Sequence, residues 1–178
     1  MPVTITIPYG EFWDSKNNKF IYSKEQSITF EHSLVSISKW ESKWHIPFMS
    51  NDEKTTEQIF DYIKCMTITQ NVKDETYNFL TEDNIKTIKE YIDNPMTATW
   101  FSENGPKSRR IITSELIYYY MIESNVPMEC QRWHINRLLT LIRVINEERK
   151  DHKMSTNELY RRNSELNRLR KQRLGIRN

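Results

Sequence analysis

Apolar and polar residues alternate at the start of the chain and then fall into a repeat of three to four, dividing the sequence into a short β-rich segment and a long helical one. Val3, Ile5 and Ile7 alternate with threonines, and Phe20-Ile21-Tyr22 and Ile28-Thr29-Phe30 are β-rich runs separated by polar segments, the period-two signature of half-buried strands. Asp14-Ser15-Lys16-Asn17-Asn18-Lys19 is turn chemistry, because Asn and Asp tolerate left-handed backbone and bond their own main chain. Residues 1–32 are therefore expected to form a hairpin or small antiparallel sheet packed on the body.

From Ser33 the period becomes helical. Leu34, Ile37, Trp40 or Glu41, and Trp44 share one face, Trp40 and Trp44 stack one turn apart, and Pro47 ends the run. A second helix follows a cap near Ser50, Asn51 or Thr55, with Ser50 and Glu53 as one possible capping box, and carries Ile59, Phe60, Ile63 and Met66. Thr81 caps a third, whose Glu82 and Asp83 suit the positive end of the helix dipole; its face is Ile85, Ile88 and Ile92, and Pro95 closes it. Trp100-Phe101 lead into residues 102–110, read as an exposed loop. A fourth helix starts near Thr113 with Leu116, Ile117, Tyr119 and Tyr120, stopping before Asn125-Val126-Pro127. The fifth is the longest, roughly 128–150. Its stripe of Trp133, Leu138, Ile142 and Ile145, widened by Leu139 and Leu141, implies contact with more than one neighbour. Ser155-x-x-Glu158 then opens a tail helix with Leu159, Leu166, Leu169 and Leu174 among arginines, ending near Gly175.

The expected fold is thus mainly α: a small N-terminal antiparallel β element, a compact bundle of about five helices over 33–150, and a basic C-terminal amphipathic helix over 151–178. At 178 residues the chain can bury a core without a staple. Three glycines, Gly10, Gly105 and Gly175, lie too far apart for a phosphate-binding loop or dinucleotide fingerprint. Two cysteines give neither a disulfide framework nor zinc-finger spacing, which fits a reducing compartment. No secretion signal opens the sequence and no run reaches the roughly 18 apolar residues of a membrane span, so cytoplasm is the expected address and no membrane partner is expected.

Charge changes the picture of the tail. Over 149–178, ten Lys or Arg stand against three carboxylates, giving +7; the remaining 16 and 21 leave −5 on the rest of the chain. Such a tail could bind phosphates, since Arg forks onto them and releases counterions. Its only interleaved aromatic is Tyr160, and leucines among arginines suit a protein groove better; a merely solvated helix is the third reading. The candidate partner-binding residues are Leu159, Arg162, Leu166, Leu169, Arg170 and Arg173. Trp40, Trp44, Trp100, Trp133 and Tyr118-Tyr119-Tyr120 are either interface anchors or, more commonly for such residues, core.

Catalytic chemistry finds little footing. Cys130 and His134 are four residues apart, as are Glu41 and His45, and two such pairs on packed helices could supply four metal ligands. Neither pair has a full ligand set or a third orienting group, free cysteine is among the most buried residue types, and a histidine beside Trp133 is commonly a satisfied packing residue. The pairs Glu82-Asp83 and Glu147-Glu148 sit at helix ends, where dipole and solvation explain them.

Five stretches, residues 31–45 (EHSLVSISKWESKWH), 62–67 (YIKCMT), 95–101 (PMTATWF), 112–119 (ITSELIYY) and 130–144 (CQRWHINRLLTLIRV), together resemble a small family of long-tailed bacteriophages assigned to the tail assembly chaperones. The resemblance runs from about Val3 to Asn178. It implies a non-enzymatic protein, made in the host cytoplasm, that coats the helical tape measure protein and keeps it soluble until tail tube subunits polymerise around it. The implied partner is the tape measure protein; the sequence leaves open whether the chain also pairs with itself as an oligomer. No catalytic residue, cofactor or metal comes with the family. A nucleic-acid-binding accessory protein using the basic tail is the alternative.

Overall fold

The computed structural model describes residues 1–15, 18–101, 111–151 and 155–174. The centre of the 14–19 turn, the 102–110 loop and the helix end at Gly175 lie outside the described residues. The chain is helix-rich with a small antiparallel strand set.

Four strands precede the helices: β1 (Val3–Ile7), β2 (Gly10–Asp14), β3 (Lys19–Ser23) and β4 (Gln26–Phe30). β1 pairs with β4, Val3 opposite Phe30 and Ile7 opposite Gln26. β2 pairs with β3, Gly10 opposite Ser23 and Asp14 opposite Lys19. Both ladders keep one register, so this is a single long ribbon interrupted where Pro8-Tyr9 faces Lys24-Glu25. Pro8 has no N–H to give the ladder, which accounts for a break there. Along the inner half Ile5, Ile7, Ile28 and Phe30 are buried while Thr4, Thr6 and Ser27 stay exposed, the alternation read from sequence. The free edge of β4 is covered by residues 66–68: Glu31 N–H donates to the Met66 carbonyl and Ile68 N–H to that of Thr29.

The helices are α1 (Leu34–Trp44), α2 (Thr56–Met66), α3 (Glu82–Asp93), α4 (Ser114–Glu123), α5 (Ile135–Asp151) and α6 (Thr156–Arg173), with 3₁₀ turns at Asp74–Phe79 and Met128–Arg132. Their starts follow local chemistry. Thr55 and Gln58 cap α2 reciprocally, as Thr81 and Asn84 do for α3. His45 ends α1 in the left-handed region at φ 55°. Leu34, Ile37 and Trp40 of α1 meet Met66 of α2, Ile117 and Met121 of α4, and Ile135 and Leu138 of α5 in one core with the inner ribbon. Trp40 is fully buried and its indole N–H donates to the Gln58 carbonyl at 2.9 Å, which satisfies the one polar atom a core tryptophan brings with it.

Several expectations are corrected. The run 128–150 is not one helix: the Trp133 backbone is extended (ψ 157°), and Ile135 N–H donates to the His32 carbonyl at 2.9 Å. A tertiary hydrogen bond there replaces the helical one, so Trp133 lies outside the α5 stripe. Of the three caps open for α2, Ser50, Asn51 and Thr55, the structure uses Thr55. Ile59 and Ile85 face solvent, and the buried side of α2 includes Asp61 and Tyr62 instead. Asp61 earns its place by accepting from Trp44 Nε1 at 2.8 Å and pairing with Lys43. Strand β2 and the 74–79 turn were not foreseen. Among the described residues, no helix is long and apolar enough to cross a membrane.

Candidate partner-binding surface

Helix α6 opens with the predicted capping box: Ser155 N–H donates to the Glu158 carboxylate at 3.0 Å, and Glu158 N–H to Ser155 Oγ at 3.4 Å. Ser155 Oγ also bonds that carboxylate at 2.7 Å, and this bond first, then the one from Ser155 N–H, holds the Glu158 carboxyl below its ordinary range. Leu159, Arg162, Leu166 and Leu169, spaced three and four apart, are half-buried and form one stripe; Arg170 and Arg173 are exposed, and no α6 residue is fully buried. The structure therefore brings Leu159, Arg162, Leu166 and Leu169 onto one half-buried face, with Arg173 continuing it at the exposed end of the helix and Arg170 at its exposed margin.

That face is turned toward the chain's own body, so the C-terminal helix is not a freely projecting tail. Arg162 bonds the Glu147 carboxylate of α5 at 2.6 Å, and the Arg173 guanidinium lies 4.7 Å from the Trp100 ring centroid. Arg143 on α5 sits in turn 4.2 Å from the Phe101 ring. So α6 turns back toward α5 and the 100–101 segment, and its contacts among the described residues include a partly exposed ion pair and a cation–π contact. Contacts of these kinds contribute about 0–1 kcal/mol each when solvent reaches them.

The metal-ligand pairs do not assemble. Cys130 lies on the 3₁₀ turn and His134 beyond it, so the shared helical face is absent. Burial pushes the Cys130 thiol up, away from the nucleophilic thiolate. Glu41 is buried and occupied: Oε1 accepts from Phe48 N–H and Oε2 from Ser114 N–H, both at 2.7 Å. Its carboxylate thus sits on the first residue of α4, where the helix dipole favours negative charge. Among the described residues, no group of three or more His, Cys, Asp or Glu could hold a metal ion.

Sequence reasoning missed a buried histidine pair. The His32 and His134 rings lie 4.9 Å apart at 74°. His32 Nδ1 bonds the Tyr62 hydroxyl, and His32 N–H donates to the Tyr91 hydroxyl at 3.2 Å. His134 Nε2 is 2.9 Å from the Tyr91 carbonyl, which can only accept, so the proton sits on Nε2; Nδ1 then accepts from Asn136 N–H at 3.3 Å. Burial, and secondarily the neighbouring His134, lowers the His32 pKa to about 3. Burial also lowers that of His134, against the opposing effect of its bond to Tyr91. Both rings are neutral packing groups that tie the β4–α1 junction to the start of α5. Each stands at the edge of an apolar run, His32-Ser33-Leu34 and His134-Ile135, and that shared placement was the available signal.

Comparison with known protein families, curated proteins and solved structures finds no match to this chain.

Proposed function

We propose that this chain is a non-enzymatic tail assembly chaperone of a long-tailed bacteriophage, which binds the tape measure protein in the host cytoplasm and keeps it soluble during tail morphogenesis. The sequence resemblance supplies the family. The observation that carries the mechanism is the state of α6: a helix with a leucine stripe only half covered, held to its own body by Arg162–Glu147 and Arg173–Trp100. In this reading the β element and the helical bundle of 33–150 are the carrier, and 151–178 is the arm.

An unassembled tape measure exposes long apolar helical stripes, which aggregate when left open. An arm whose leucines are partly covered at rest can exchange a weak contact with its own body for a fuller one with a partner helix, and many copies along one tape measure gain by multivalency. Co-expression tests this: the tape measure protein stays in the soluble fraction and copurifies with the chain. Equal solubility without it, and no complex, overturns the reading. Binding to DNA that weakens steeply with added salt would favour the nucleic-acid alternative instead.

A further inference from the structure

The outer half of the β ribbon presents an aromatic face that the described residues leave open. Gly10, Phe12, Ile21 and Ser23 point toward the body, Phe12 edge-on to Phe79 at 5.7 Å. In the alternation of the pleat, Tyr9, Trp13, Phe20 and Tyr22 fall on the opposite side. They are 64%, 47%, 54% and 61% exposed. Trp13 lies directly across from Phe20, centroids 4.9 Å apart, and Phe20 is 6.2 Å from Tyr22. By strand register this side continues the stripe of Ile5, Ile7, Ile28 and Phe30. The sequence is patterned for burial along the whole ribbon, but the body covers that stripe only along its inner half.

We propose that the aromatic face of β2–β3 is a self-association surface that packs against the same face of a second copy of the chain. Three observations select a second copy. The face carries two charges of opposite sign, Glu11 and, across from Tyr9, Lys24, and its surroundings carry both signs as well: Asp14 and Glu25 against Lys19. A two-fold axis can set such a mixed rim against itself, whereas nucleic acid or a strongly charged peptide calls for a rim of one sign. The area fits as well. Aromatic side chains bury about 150–250 Å² each, so four rings open to about half or more offer roughly 450 Å² per copy and about 900 Å² for a pair. That lies at the lower end of interface sizes and corresponds to a weak, reversible dimer. Finally, a two-stranded ribbon gains from covering its second face, since alone it is marginally stable.

This inference does not depend on the tape measure reading. Sedimentation velocity from about 5 to 500 μM should show the wild-type chain moving from monomer to dimer with a dissociation constant on the order of tens of micromolar. The double variant Trp13→Ser, Phe20→Ser, shown folded by circular dichroism, should weaken that constant at least tenfold. A wild-type chain monomeric throughout, or a folded variant that dimerises unchanged, overturns the proposal. Should the variant not fold, amide NMR of the wild type decides: concentration-dependent shifts confined to residues 9–13 and 19–24 support it, and shifts elsewhere sink it. A labelled oligothymidine bound by a wild-type chain that does not self-associate, with binding lost in the folded double variant, would make the face a nucleic-acid platform and also overturn it.

Discussion

His32 and His134 lie edge to face, 4.9 Å apart, across the junction where β4 gives way to α1 and the 3₁₀ turn gives way to α5. An isolated β-bridge joins their neighbourhood, Ser33 with His134. The pair holds together segments a hundred residues apart, and it does so only while both rings are neutral.

Acid should therefore loosen the fold before carboxylates begin to titrate. The unfolded chain takes up a proton on each histidine near the ordinary pKa of 6.5, whereas folded His32 resists protonation to about 3. The unfolded state binds more protons in that window, so stability is whole above about pH 6.5 and falls as pH drops toward 3. Between pH 7 and 5, His32 alone should remove about 2 kcal/mol, at 1.36 kcal/mol per unit. Urea melts at pH 7.5, 6 and 5 would show the midpoint falling; an unchanged midpoint contradicts the neutral pair.

Glu41 ties α1 to the 45–48 turn and to α4 through two backbone N–H groups. Glu41→Ala leaves the buried Ser114 N–H and the part-buried Phe48 N–H without their acceptor, and a bond to a charged acceptor contributes about 1.5–3 kcal/mol. A loss of about 3 kcal/mol or more is expected in chemical denaturation. Glu41→Gln keeps one acceptor oxygen and should cost less. A Glu41→Ala loss under about 1 kcal/mol would mean the two bonds contribute little.

Gly10 lies where the ribbon meets the 74–79 turn. A Cβ added there would sit 2.5 Å from Phe79 Cδ1, far inside ordinary contact. Gly10→Ala should cost about 1–3 kcal/mol by overpacking and raise amide exchange in β2 and β3 relative to β1 and β4. Unchanged exchange in the outer ribbon would show that Phe79 moves aside freely.

Much of this architecture could be read from local chemistry. Thr81, Ser155, Pro47 and the alternation of Val3, Ile5 and Ile7 each act within a few residues of themselves, and the elements they mark are present. What escaped depends on distant partners. Trp133 and His134 leave the helical path because Ile135 bonds His32, and Asp61 is buried because Trp44 and Lys43 reach it. Ile59 and Ile85 keep helical spacing yet face outward, since period alone does not say which side of a broad stripe finds a neighbour. At the candidate surface, the spacing of Leu159, Arg162, Leu166 and Leu169 was legible. That their side turns toward α5 was not, because it rests on Glu147 and Trp100. The exposed pair Trp13 and Phe20 was passed over because Gly10-Glu11-Phe12-Trp13-Asp14 lacks the strict alternation that marks β1.

The light attachment of α6 has its own consequence. Arg162→Ala removes a partly exposed ion pair and should change global stability by no more than about 1 kcal/mol, while amide protons of α6 exchange measurably faster. A larger global loss would make α6 an integral layer of the core.

The central claim is that α6 binds a partner, and copurification of the tape measure protein tests it most directly. The full chain, a chain ending at residue 152, and the variant Leu159→Ser, Leu166→Ser, Leu169→Ser would be compared, each checked for a cooperative melt. The full chain should hold the tape measure soluble, and the two altered chains, still folded, should lose it. Equal retention by all three would contradict the account.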